Sequence, residues 1–172
     1  MEKAKSFTFT YSRLEKVLRT HVDVGDAYDP STSTAVFKRY VGIWDTGATA
    51  SVITAKIITE CSLKPISMTK AHGADGEYLT EVFLISLMVP NGLGFHSMRV
   101  TRGKLPSGSD MLVGMDVIGS GDFAVTNYSG VTSFSFRHPS LEKICFLTSH
   151  TSAEYTPPPK PKPQDCGGAY IQ

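Results

Sequence analysis

Asp45-Thr46-Gly47-Ala48 interrupts an otherwise apolar stretch: the run Val36 to Trp44 leads into it, and Ser51-Val52-Ile53 follows it. A carboxylate held between buried apolar segments needs a compensating environment, or it takes up a proton. Two such carboxylates sharing one proton can hydrolyse an amide. One takes a proton from water while the other, protonated, polarises the carbonyl. In that chemistry Asp45 is the catalytic group. Gly47 lets the backbone approach a symmetry mate and a substrate. Thr46 locks the loop through side-chain hydrogen bonds to backbone groups, and Ala48 lines the floor. Asp-Thr-Gly by itself also fits an ordinary turn at a strand end.

A second motif narrows the choice. Residues 111–118 read Met-Leu-Val-Gly-Met-Asp-Val-Ile, an apolar pair and a glycine followed by Met115-Asp116 opening a short helix, and Gly114 lies 69 positions after Asp45 (114 − 45). Paired with Asp-Thr-Gly-Ala, this pattern resembles the retropepsin-like aspartic proteases. The Gly-Met-Asp variant is more similar to bacterial, cellular and phage-type members than to retroviral ones. The resemblance covers roughly residues 19–137. It implies a mostly β chain, a closed β-barrel forming half of an acid protease, with one or two short helices and activity as a homodimer. It implies that the strand bearing Leu112, Val113 and Gly114 packs beneath the catalytic loop. It also implies a flap, a hairpin over residues 70–78 that covers an extended peptide, with His72, Gly73, Ala74, Asp75 and Gly76 at its tip; a plain surface hairpin is the other reading. His72 and Asp75 have no third ligand nearby in the sequence, so no metal is expected there. No cofactor is expected either. Thr49 and Met115 stand where retroviral members often carry an aspartate and an arginine as a buried ion pair.

No second Asp-Ser/Thr-Gly occurs in the 172 residues. Two carboxylates must then come from two copies of the chain, with each Asp45 near a two-fold axis. The function expected is an aspartic endopeptidase acting on extended polypeptides. The alternative is a catalytically inert retropepsin-like module that dimerises or binds peptides.

The elements that must position these residues are mostly strands. Short β-branched and aromatic runs alternate with turn residues. Strands are expected at Phe7–Tyr11, His21–Val24, Val36–Trp44, Glu81–Val89, Phe95–Val100 and Met111–Val113, with a terminal hairpin of Phe123–Thr126 and Val131–Phe136. Asp29–Thr34 is a loop, and Pro90-Asn91-Gly92 turns one strand into the next. The one clear helical period spans Thr54–Leu63, with Thr54 as N-cap and Ile57, Ile58 and Cys61 on one face.

Composition removes other classes. With 17 basic and 16 acidic residues, the net charge of +1 lacks the basic face that nucleic-acid binding requires. No apolar run approaches the roughly 20 residues a membrane helix needs, so no membrane partner is expected. Three cysteines without a CxxC pair point to a reducing compartment. The polar N-terminus does not read as a signal peptide, and a cytoplasmic protein is expected. Residues 1–150 are read as the domain and 151–172 as a disordered Pro-rich tail. Its Tyr155–Gln164 stretch holds five of the ten prolines. Such a stretch is either a solvated extension or a ligand for a proline-recognising groove.

Overall fold

The computed structural model describes residues 4–73 and 76–145. The chain divides into two units, Met1–Glu142 and Lys143–Gln172, and every described strand and helix belongs to the first. In chain order these are β1 (Lys5–Thr10), β2 (Leu18–Asp26), β3 (Lys38–Trp44), β4 (Val52–Ile53), α1 (Ala55–Glu60), β5 (Ser67–Gly73), β6 (Gly76–Val89), β7 (Leu93–Arg102), β8 (Met111–Val113), α2 (Met115–Ile118), β9 (Asp122–Thr126) and β10 (Ser133–His138). The chain is mostly β, with two short helices. Among the described residues no helix is long and apolar enough to cross a membrane.

Six strands close into a barrel in the order β2-β3-β8-β4-β7-β6. The second half of β6 returns to β2, with Asp23 opposite Met88 and Asp26 opposite Ile85. Closure removes the unpaired edges that an open sheet would leave. The first half of β6 extends out of the barrel and pairs with β5 instead, from Ser67 opposite Val82 to Gly73 opposite Gly76. Inward-facing residues fill the barrel: Val22, Val24, Tyr40, Ile53, Phe83, Ile85, Leu87, Val100, Met111 and Val113 are all buried. Each fully buried aliphatic or phenyl side chain supplies about 1.5–3 kcal/mol of transfer free energy.

The chain crosses its own path at β8. This strand of three residues lies parallel to β3 and antiparallel to β4, with Trp44 opposite Val113 and Ile53 opposite Met111. Central strands with neighbours on both sides read as unbroken apolar runs, which is why Met-Leu-Val shows no alternation. β4 was not expected from the sequence, because two residues carry no period. It exists because β7 and β8 leave a slot between them. β3 starts at Lys38 rather than Val36, since its pairing with β2 ends at Val24 opposite Lys38, and Val36 is exposed. Helix α1 is shorter than the sequence period suggests. Thr54 occupies the N-cap position, but its hydroxyl makes no capping bond. The helix is held by Ile57, which is fully buried.

A second sheet, β1-β10-β9, packs against the barrel. Its outer face carries a ladder of hydroxyls, with Thr8 to Ser135 at 2.8 Å and Thr10 to Ser133 at 2.9 Å. Its inner face brings four phenylalanines onto one indole. Ring centroids of Phe7, Phe123, Phe134 and Phe136 lie 5.7, 5.9, 5.6 and 5.3 Å from Trp44. The Trp44 Nε1–H donates to the buried Thr20 hydroxyl at 2.9 Å, so the polar end of the indole is satisfied as well.

The open end of the β9–β10 pair, away from the turn that joins them, is held by Asp122. The Ser140 hydroxyl (2.5 Å) and the Leu141 amide (2.9 Å) donate to it, and Arg137 pairs with it at 2.6 Å. These partners, Ser140 first, hold the Asp122 carboxyl well below the usual carboxylate range.

Two outcomes are expected. Phe134→Ala should lower the unfolding free energy by about 3–5 kcal/mol in urea titrations, because it empties the centre of the aromatic cluster. The second concerns pH. A carboxyl with a depressed folded-state pKa stabilises the fold above its unfolded pKa and loses that contribution as pH falls towards the folded value. The gap in urea midpoint between the wild type and Asp122→Asn should therefore be constant near neutrality and should close as pH drops below about 4. A gap that persists in acid would show that the carboxylate is not its source.

Candidate active site

Asp45 is the first residue beyond β3. Its amide donates to Val113 O at 3.0 Å, one last rung of the β3–β8 ladder. The chain then turns sharply. The Ala48 amide donates to Asp45 O at 3.3 Å, and the Gly47 amide donates to Asp45 Oδ1 at 2.8 Å. A Cβ on Gly47 would stand 3.1 Å from Asp45 Oδ1, so a side chain there would crowd the oxygen that the amide holds. Asp45 is half-buried, while Thr46 and Gly47 are exposed. Among the described residues, Asp45 Oδ2 accepts no hydrogen bond, the Thr46 hydroxyl makes none, and no Lys or Arg forms an ion pair with Asp45. One carboxylate oxygen is thus fixed by the backbone and the other is open.

The turn is held from below by the β8–α2 junction. The Met115 amide donates to Ala48 O at 2.8 Å. Gly114 lies so close to the returning loop that a Cβ there would be 2.7 Å from Ala50 C and 2.8 Å from Ala50 O. That approach demands glycine whatever its φ. Val113 is buried, and Leu112 pairs with Ile43 on one side and Val52 on the other. The loop ends at Ser51, which is fully buried. Its hydroxyl accepts from the Gly114 amide at 3.1 Å and donates to Asp116 Oδ1 at 2.8 Å, while its amide donates to Asp116 Oδ2 at 2.9 Å. The sequence reading passed over both residues. Asp116 reads as a helix-first-turn acid favoured by the dipole, and Ser51 as one more loop hydroxyl. Only the crossing of the chain brings them together.

The residues assigned to the flap fall on the β5–β6 hairpin. His72 and Gly73 end β5, and Gly76 opens β6 with φ +108°. Ala74 and Asp75 lie outside the described residues. The base of the hairpin is tied beside β4, the strand that follows the Asp45 loop. The buried Thr80 hydroxyl donates to Arg102 O at 2.8 Å. The Tyr78 hydroxyl lies 3.9 Å from the point where a Cβ on Gly103 would stand, and the Gly103 amide donates to Ile53 O at 3.0 Å. Met68, Tyr78 and Leu79 leave apolar surface exposed on this hairpin.

A groove of about 500 Å³ opens elsewhere, lined by Phe9, His21, Asp23, Phe37, Arg39 and Met88 among others, and takes in none of residues 45–48. Among the described residues no three His, Cys, Asp or Glu side chains converge on one point.

No protein-family model matches the chain, and no curated protein matches it. Solved structures with a related chain path include three proteases. A retropepsin-like aspartic protease from Rickettsia conorii is 11% identical with a TM-score of 0.47, covering 80% of this chain and 97% of its own. An inhibitor-bound EIAV protease is 20% identical with a TM-score of 0.46, covering 63% and 90%. A simian foamy virus protease is 16% identical with a TM-score of 0.39, covering 59% and 92%.

The close approach at Gly114 gives a direct test. Gly114→Ala must push the Ala50 peptide away. The expected cost is about 1–3 kcal/mol in urea unfolding, as for other insertions into packed space. A variant as stable as the wild type would mean that the loop can shift freely.

Proposed function

We propose that the chain is one half of an aspartic endopeptidase, a homodimer that hydrolyses peptide bonds in extended polypeptides with Asp45 from each subunit. The observation that carries this reading is the state of Asp45. It is a half-buried carboxylate with one oxygen held by the Gly47 amide and, among the described residues, the other unpartnered and no Lys or Arg in an ion pair with it, on a turn braced from beneath. A plain Asx turn leaves the same open oxygen, as at Asp29, whose Oδ1 accepts from the Ser31 amide; what sets the Asp45 turn apart is the brace beneath it, the Met115 amide on Ala48 O and Gly114 against Ala50.

Two such groups brought to a two-fold axis repel as anions and share one proton. The ionised member takes a proton from a water molecule, and the protonated member polarises the scissile carbonyl. The Gly47 amide keeps its Asp45 oxygen oriented, so the open oxygen is the one aimed at water and proton. The Thr46 hydroxyl, exposed on the same turn and without a partner among the described residues, is free to bond across the axis. The β5–β6 hairpin, with Gly73 and Gly76 at the end of its ladder, is the lid that closes over the peptide and excludes water. Its exposed Met68, Tyr78 and Leu79 suit an apolar substrate segment.

The test is cleavage of an unfolded protein by the purified chain across pH. Cleavage should peak on the acid side of neutral, where the pair holds one proton, and sedimentation should show a dimer. Asp45→Asn removes the base from both halves, so turnover should fall by orders of magnitude with folding retained. A mixed dimer with one Asp45→Asn chain should be nearly inactive too. Activity in proportion to the number of unaltered chains would rule out a shared pair.

A further inference from the structure

We propose that Asp116 is a positioning residue for Asp45, acting through Ser51; the inference rests on the proteolytic reading above. The geometry is a closed set of hydrogen bonds. Asp116 Oδ1 accepts from the Ser51 hydroxyl at 2.8 Å and from the Val117 amide at 3.0 Å, and Oδ2 accepts from the Ser51 amide at 2.9 Å. The Ser51 hydroxyl, its proton committed to the carboxylate, accepts from the Gly114 amide at 3.1 Å. Only a group with acceptors on both oxygens fits. Turned either way, the amide of an asparagine would set an NH2 against a backbone N–H, that of Ser51 or that of Val117.

The clamp matters to Asp45 because little else fixes the loop between them. Thr46, Gly47, Thr49 and Ala50 are exposed. The tethers of the turn are the Asp45 amide on Val113, the Met115 amide on Ala48, the Thr101 amide on Ser51 O at 3.3 Å and the Asp116–Ser51 set, all but the Thr101 bond on the five residues 113–117. The first three hold backbone to backbone. The fourth is the only one made by side chains on both partners, and it joins the end of the loop to the β8–α2 junction, so it sets how high the tip stands above that junction. In a site shared between two chains, that height sets the spacing of two carboxylates, and an error is doubled by symmetry. Asp116 touches no substrate in this arrangement. Its loss should therefore change turnover and leave substrate affinity alone.

The experiment compares the wild type with Asp116→Asn, Ser51→Ala, Ser51→Thr and the double variant Asp116→Asn/Ser51→Ala, each confirmed as folded by thermal unfolding. Misplacing a reacting group by about an ångström costs up to about a hundredfold. Asp116→Asn and Ser51→Ala should each lower kcat by about tenfold to a hundredfold with KM changed by less than about twofold. The double variant should be no worse than the worse single, because both act on one set of bonds. Ser51→Thr, which keeps the hydroxyl, should recover most of the loss. Unchanged kcat in Asp116→Asn, losses confined to KM, or multiplicative losses in the double variant would overturn the proposal. Amide exchange separates this outcome from failure of the protease reading. In Asp116→Asn the Gly114 amide and residues 46–51 should exchange faster, with the β6–β7 ladder unchanged. A wild type that cleaves nothing would sink the protease reading and with it any catalytic role for Asp116, whereas unchanged protection of Gly114 would sink the clamp itself.

Discussion

The structure depends on one crossing of the chain: the parallel pairing of β3 with β8. Three residues, Met111-Leu-Val113, slide between β3 and β4 and lie in register with Gly42-Ile-Trp44. That pairing completes the barrel and delivers Gly114 beneath the turn that begins at Asp45. The contact is so close that no side chain fits. Without it the turn would be an ordinary loop at a strand end, with its carbonyls facing water. With it, the Asp45 amide and Ala48 O find partners on Val113 and Met115, on either side of Gly114, and the turn becomes a braced platform. A parallel pair needs a long connection. The connection here contains β4, α1 and β5 to β7, so the platform joins segments far apart in the chain.

Beneath the platform lies Trp44, the residue immediately before Asp45. It is nearly fully buried, ringed by four phenylalanines from β1, β9 and β10, and bonded through its indole N–H to Thr20. A large rigid side chain packed on several sides has few ways to move. The terminal sheet therefore acts on the site mechanically. It fixes the backbone direction from which Asp45 emerges, although none of its own side chains bonds to the turn. The segments at the two ends of the described chain thus matter to the middle of it.

Charge is arranged in two layers around the turn. On the exposed side, Asp45 has, among the described residues, no cation paired with it and one open oxygen. On the lower side, Asp116 has every acceptor position facing Ser51 or Val117 filled by a donor. Two carboxylates thus flank one short loop in opposite conditions, one saturated and one left unsatisfied.

The sequence by itself determined most of the strands and the terminal hairpin and singled out Asp45 as the candidate reactive group, because each is written in local terms. Alternating β-branched and aromatic residues specify a pleated surface, Asn91-Gly92 adopts the positive φ values a tight turn needs, and Asp-Thr-Gly set in apolar surroundings raises its own question of charge. The pairing of Leu112-Val113-Gly114 with that motif was legible through a family resemblance, and its spacing carried no distance. What only the tertiary structure decided is what crosses what. β4 is too short to show a period and exists because two other strands leave room for it. Thr54 looks like a cap and makes no capping bond; its buried hydroxyl has no partner among the described residues. Asp116 and Ser51 are 65 residues apart, and neither carries a local sign of the other. Their hydrogen bonds, and the one open oxygen of Asp45, follow from the register of two strands, a relation between distant segments that no local pattern encodes.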